Sequence, residues 1–145
     1  LDLAPALAGL LAAAVQAASD APRPSLVLPV PLGSERLAER GMNQAWELAR
    51  RVAGTLGIET TPLLLRRLID TAHLADLPRA QRAARIRGAF GITPGQAHRL
   101  HGRHVALVDD VMTTGATAAE AARVLLAAGA SEVHVWALAR TPAPS

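Results

Sequence analysis

The stretch "VALVDDVMTTGATAAEAARVLLAAGA", residues 105–130, passes from an apolar run through two adjacent acids and a threonine/glycine turn into an alanine-rich segment with helical spacing. The run 104–109 has the length and composition of a buried strand, and 117–128 carries helical periodicity. Thr117 and Glu120 have the spacing of a capping box, and Gly129 stands where a helix stops. The apolar "EVHVWALA" that follows resumes as a strand over 132–139. Residues 104–139 are thus predicted to form a βαβ unit with parallel strands and a right-handed crossover.

In an open parallel sheet, ligands collect beyond the carboxyl ends of the strands. Asp109 and Asp110 stand at such an end, and "VMTTGAT" leads from them into a helix N-terminus, where backbone N–H groups and the helix dipole favour an anion. Thr113, Thr114 and Thr117 add hydroxyls, and Gly115 permits a close backbone approach or a positive φ. Acids beside a phosphate cradle suit a sugar phosphate, with carboxylates taking the hydroxyls and the turn taking the phosphate. Each part also has a purely structural reading, as a capped strand-to-helix turn.

Outward from this unit, strands are predicted at 26–30 and 61–65 and helices at 3–18 and 43–56. In the second helix Ala45, Leu48, Ala49, Val52 and Leu56 share one face, Asn43 caps the start and Gly57 ends it. Residues 78–87 read as a mobile loop or short helix, with a brief strand near 89–92. The 145 residues, half of them hydrophobic, suffice for one core. The expected architecture is α/β, one parallel-sheet domain over 1–145 with flanking helices: a helical segment 1–25 and a core 26–140. Asp2, Pro5, Gln16 and Asp20 interrupt the apolar N-terminal stretch, so residues 3–18 read as a core-packing helix rather than a signal or a membrane span. The missing initial methionine suggests further chain upstream.

There is no cysteine, which excludes a disulfide framework or a thiolate zinc site within these residues and fits a reducing, cytoplasmic setting. No Walker lysine, no GxGxxG and no Ser-His-Asp or Cys-His arrangement is present. All 15 basic residues are arginine. Residues 66–104 hold Arg66, Arg67, Arg79, Arg82, Arg85, Arg87, Arg99 and Arg103 against Asp70 and Asp76, and the rest of the chain is net acidic. A local cationic face of this kind implies a phosphate-bearing partner. Pro29 and Pro31 read equally as stiffeners of a ligand turn or as strand stops. His98, His101 and His104 sit three apart, but Gly102 and the lack of nearby carboxylates favour a solvated turn over a metal face. Trp46 and Trp136 read as core or interface residues. One Phe and no Tyr supply little for base stacking.

The sequence of hydrophobic strand, two acids and Thr-Thr-Gly-x-Thr resembles the signature of type I phosphoribosyltransferases, which bind phosphoribosyl pyrophosphate (PRPP) in a Rossmann-like fold. With "VLPVPLGSERLAERGMNQAWELARRV" (27–52), "RGAF" (87–90) and "VHVWALAR", the chain is similar over 27–140 to the ComF family, linked in many bacteria to natural competence and DNA uptake. Members usually carry an N-terminal four-cysteine zinc ribbon, which is lost here or lies outside this chain. Leu74 and Arg85 stand where the family tends to have Gln and Asn. The resemblance implies that Thr113, Thr114, Gly115, Ala116 and Thr117 cradle the 5-phosphate. Asp109 and Asp110 would hold the ribose hydroxyls and orient Mg²⁺-bound PRPP. The loop from Pro31 and Leu32 to Arg36 would face the pyrophosphate, with Arg36 and Arg40 as cationic partners. Arg79, Arg82, Arg85 and Arg87 would form a mobile cationic loop over the pyrophosphate or along a DNA strand. Three readings follow: a PRPP-dependent transferase of unspecified acceptor, a catalytically quiet protein handling single-stranded DNA, or a PRPP-sensing adaptor for a DNA-uptake partner.

Overall fold

The computed structural model describes residues 3–18, 22–32, 43–68, 78–112 and 115–140. Four strands form a parallel sheet: β1 (Leu26–Pro29), β2 (Glu59–Thr60), and the longer β5 (His104–Met112) and β6 (Glu132–Arg140), in the order β2-β1-β5-β6. Two short strands, β3 (Leu65–Arg67) and β4 (Phe90–Ile92), pair separately as an antiparallel ribbon. The helices are α1 (Ala4–Ala17), α2 (Gln44–Leu56), α3 (Arg79–Ile86) and α4 (Ala116–Ala127), with a 3₁₀ turn at Ala97–Leu100.

The central strands are apolar on both faces because helices cover both. From β1 and β5, Leu26, Leu28, Val105 and Leu107 enter a core shared with Ala118, Ala121 and Leu125 of α4 and with Leu65 and Phe90 of the ribbon. Their alternates Val27, Ala106 and Val108 face the opposite way, into a core with Ala8, Leu11 and Ala12 of α1 and Leu48, Ala49 and Val52 of α2. The period-two alternation therefore divides one sheet between two apolar layers. Trp46 and Trp136, both partly buried, pack against the α1/α2 layer.

Asn43 caps α2: its Oδ1 accepts from the backbone N–H groups of Ala45 and Trp46 at 2.9 and 3.3 Å. Its Nδ2 also donates to the Val30 carbonyl at 3.3 Å, joining the helix start to the end of β1. Gly57 closes α2 in the left-handed conformation, φ 71°. Asn43→Ala should cost about 1–2 kcal/mol, the usual range for losing a helix cap, read as a lowered urea midpoint with an unchanged m-value.

Pro29 fits inside the sheet without loss. The Val30 N–H bonds the Val108 carbonyl at 2.9 Å, so Pro29 turns its missing donor toward β2. That strand pairs with β1 only at Leu26 and Val27. No ladder bond is forfeited there, and among the described residues there is no cis peptide.

Two expectations are corrected, and one left open is decided. The strand expected at 61–65 is two elements, β2 and β3, separated by a bend at 62–64 that turns the chain out of the sheet into the ribbon. Of the two readings of 78–87, loop or short helix, the structure has the helix, over 79–86. The expected capping box is absent, because Gly115, with φ 81°, is the N-cap of α4 and no side chain caps it. Glu120 turns away instead, accepting from Arg123 Nε and Nη2 at 2.6 and 2.8 Å and from the Gly88 N–H at 3.3 Å. It is only 7% exposed, and the bond to Arg123 holds its carboxyl below the usual carboxylate range.

Candidate phosphate and ribose site

β1 and β5 are neighbours in register, Pro29 opposite Val108, so their carboxyl ends open on the same edge of the sheet. The β1 end continues into Val30, Pro31 and Leu32, and β5 carries Asp109 and Asp110. The sequence-predicted Pro31, Leu32, Asp109 and Asp110 are thus brought to one end of the molecule. Gly115, Ala116 and Thr117 begin α4, three residues beyond the end of β5. The first turn of an α-helix presents backbone N–H groups without intrahelical acceptors, and here the left-handed glycine turns the chain into that first turn. Arg36, Arg40, Thr113 and Thr114 lie outside the described residues.

Asp109 is half-buried, and its carboxyl is pushed up to about 6. Burial is the main cause; the adjacent Asp110 charge and a hydrogen bond with Asp110 add to it, and Arg67 opposes it. Two carboxylates held together out of water favour protonation of one, or a cation between them and solvent.

Arg67 on β3 is a site residue that the sequence reading passed over as one member of a cationic run. Its Nη1 donates to the Pro31 carbonyl at 3.3 Å, and its guanidinium lies 5.0 Å from the centroid of the Phe90 ring on β4. Cation–π contact and hydrogen bond together fix the charge between the ribbon and the β1 loop. With Asn43 on Val30, two side chains hold consecutive carbonyls of that loop. The available signal was the Arg67–Phe90 cross-strand pair, legible only once the ribbon register is known.

The cationic segment does not form one face. Arg99 and Arg103 approach Glu59 at 2.7 and 3.5 Å, and Arg103 Nη2 also reaches the Ser25 carbonyl at 2.5 Å, at the amino-terminal end of the sheet. Arg85 and Arg87 are exposed, on and just after α3, which also carries Arg79 and Arg82. His104 does not join His98 and His101 in a turn: it opens β5 and faces His134.

The family described as phosphoribosyl transferase domain matches residues 45–144. The DNA utilization protein YhgH of Salmonella typhi is 38% identical over 144 residues, covering 97% of this chain and 61% of that protein. Competence protein F of Haemophilus influenzae is 35% identical over 117 residues, 81% of this chain and 51% of its own length. The chain thus spans about half to three-fifths of the curated relatives it matches. Among solved structures, the glutamine PRPP amidotransferase from B. subtilis aligns with TM-score 0.58 at 20% identity over 93% of this chain and 26% of that one. The purine phosphoribosyltransferase from Pyrococcus horikoshii aligns with TM-score 0.53 at 16% identity, over 94% and 81% of the two chains. At these identities the structural likeness establishes the shared fold. Among the described residues no helix is long and apolar enough to cross a membrane.

Proposed function

Because the chain belongs to the phosphoribosyl transferase domain family, we propose that its carboxyl-end cleft binds PRPP with Mg²⁺ and transfers the phosphoribosyl group to a nitrogen acceptor, in the service of DNA uptake or utilization. The observation that carries this reading is the Asp109–Asp110 pair in the carboxyl-terminal half of β5, five residues before the glycine-led start of α4. Asp109 and Asp110 accept hydrogen bonds from the ribose hydroxyls. Backbone N–H groups at Gly115 to Thr117, with the hydroxyls of Thr113, Thr114 and Thr117, hold the 5-phosphate. The loop at Pro31 and Leu32 faces the pyrophosphate, with Arg36 and Arg40 as its cationic partners, and Arg67 fixes the loop's backbone from the ribbon side.

A crowded carboxylate pair with a raised Asp109 fits a divalent cation nearby. Bound Mg²⁺ supplies positive charge against the developing pyrophosphate. As the glycosidic C–O bond breaks, positive charge builds on the sugar ring and the acceptor nitrogen attacks the anomeric carbon. The protein acts by positioning and electrostatics, without a covalent protein nucleophile. Calorimetric titration tests the reading: 1:1 PRPP binding that requires Mg²⁺ supports it, and no heat at any Mg²⁺ concentration rejects it. Pyrophosphate release on adding nitrogen acceptors separates a transferase from a PRPP-sensing adaptor.

A second reading rests on the exposed Arg85 and Arg87 beside α3: a single-stranded DNA backbone tracked by this helix. With about three to five phosphate contacts, log affinity against log salt should have a slope of roughly −2 to −3.5. Arg82→Ala with Arg85→Ala should flatten it. Fluorescence anisotropy with a labelled oligonucleotide reads the slope, and absence of binding at low salt eliminates DNA as a ligand of this domain.

A further inference from the structure

The opposite end of the sheet carries a second cluster of chemistry-bearing side chains. His104 opens β5 and pairs in register with Glu132, the first residue of β6; His134 follows two residues later, opposite Ala106. Period-two alternation puts Glu132 and His134 on one face of β6, and the His104 and His134 rings approach to 4.6 Å between centroids. His134 Nε2 lies 2.8 Å from Glu132 Oε1. One ligand atom from each of the three residues lies within 4.8 Å of the other two.

A surface Glu–His pair alone would account for Glu132 and His134. It does not account for His104, whose Nε2 is buried and has no hydrogen-bond partner. Buried polar atoms ordinarily find one, and this atom belongs to a ring drawn up against a second imidazole and a carboxylate. Glu132 and His134 are 53% and 47% exposed in their side chains, so an ion can enter from solvent, and both can turn to meet it.

We propose that His104, Glu132 and His134 form a three-ligand site for a divalent transition-metal ion of the zinc class, at the amino-terminal edge of β5 and β6. Two imidazoles and a carboxylate without a thiolate suit Zn²⁺, Co²⁺ or Ni²⁺ over Mg²⁺ or Ca²⁺. At metal–ligand distances of about 2.0–2.2 Å, tetrahedral coordination needs ligand atoms roughly 3.3–3.5 Å apart. That requires the 2.8 Å Glu132–His134 contact to open by about half an ångström as the exposed pair moves toward His104, and it leaves the fourth position to water. The ion satisfies His104 Nε2 and ties the edge strand β6 to β5. Asp109 stands five residues further along β5, about 16 Å away at the usual rise, so this site is separate from the PRPP reading and does not depend on it.

The whole chain, stripped with chelator, is titrated calorimetrically with Zn²⁺, and Co²⁺ is added to a parallel sample for its visible spectrum. The expected result is one ion per chain at micromolar affinity, a raised Tm, and a Co²⁺ spectrum of four- or five-coordinate form. His134→Ala, Glu132→Gln and His104→Gln should each weaken binding at least tenfold. His98→Gln and His101→Gln should leave it unchanged. Glu132 and His134 are exposed, so their variants keep the test decisive if His104→Gln folds poorly. No saturable binding below millimolar Zn²⁺, or binding that survives both His134→Ala and Glu132→Gln, overturns the site.

Discussion

Converting Asp109 and Asp110 together to asparagine should lower affinity for Mg²⁺–PRPP by at least about 100-fold while raising the Tm at pH 7.5. Each lost hydrogen bond from a ribose hydroxyl to a charged carboxylate is worth about 1.5–3 kcal/mol, and two together exceed the roughly 2.7 kcal/mol that a 100-fold change represents. The gain in stability has a separate origin. Asp109 has its carboxyl raised from 3.8 to about 6, first by burial and then by Asp110. Between those values the folded chain holds more of a proton than the unfolded one, so this group's effect on stability worsens as pH rises from about 4 through 6, and the full penalty applies above. A shift of that size corresponds to about 3 kcal/mol at most. Asparagine removes the charge and keeps the shape, and recovery of even half gives a Tm gain of about 3–6 °C for a domain of this size. The advantage over the parent should shrink as pH falls from 7 and vanish near 4, where the parent's carboxylate is itself neutral. Calorimetric titration and thermal scans at pH 4, 6 and 7.5 check both parts. Unchanged PRPP affinity would remove the acids from the site, and unfolding would make them scaffold.

Gly115→Val should be the most damaging single change at the phosphate end. Gly115 has φ 81° and is the N-cap of α4. A β-branched side chain in the left-handed region costs about 1–3 kcal/mol if the backbone stays in place. If the backbone moves instead, the first-turn N–H groups move with it. PRPP affinity should fall about 10- to 100-fold, with Gly115→Ala intermediate. Titration at 10 °C, where the variant remains folded, separates the two effects: an affinity loss confined to the fraction unfolded in a urea series would mean that the turn serves stability alone.

Legibility followed the range of the interactions. The βαβ unit from 104 to 139, the amphipathic α2, and its Asn43 and Gly57 caps appear in the sequence because periodicity and cap chemistry are local. The ribbon is half visible: the pattern marks β4 near 89–92 but runs β2 and β3 together as one strand at 61–65, because two- and three-residue strands carry too little pattern to show the bend between them. Arg67 was missed as a site residue for the same reason, since its role depends on pairing with Phe90 across 23 residues of chain. Thr117 and Glu120 have the spacing of a capping box, yet Arg123 and the Gly88 N–H compete for the same carboxylate and win. Spacing alone groups His104 with His98 and His101, whereas the parallel pairing of β5 and β6 sets Glu132 opposite His104 and strand alternation adds His134. The arginine run looked like a single face because sequence does not show that Glu59 takes up Arg99 and Arg103 at the far end of the sheet.

Both tryptophans pack against the α1/α2 layer, and the chain has no tyrosine. Intrinsic fluorescence therefore comes from one side of the sheet. Emission during denaturation monitors the docking of α1 and α2 and gives no direct view of the ribbon or α4 on the other side. A cysteine-free background lets any engineered thiol be labelled uniquely. A dye at the exposed Arg85 position, with Trp46 and Trp136 as donors, would convert the arginine helix into an energy-transfer reporter of its distance from the sheet.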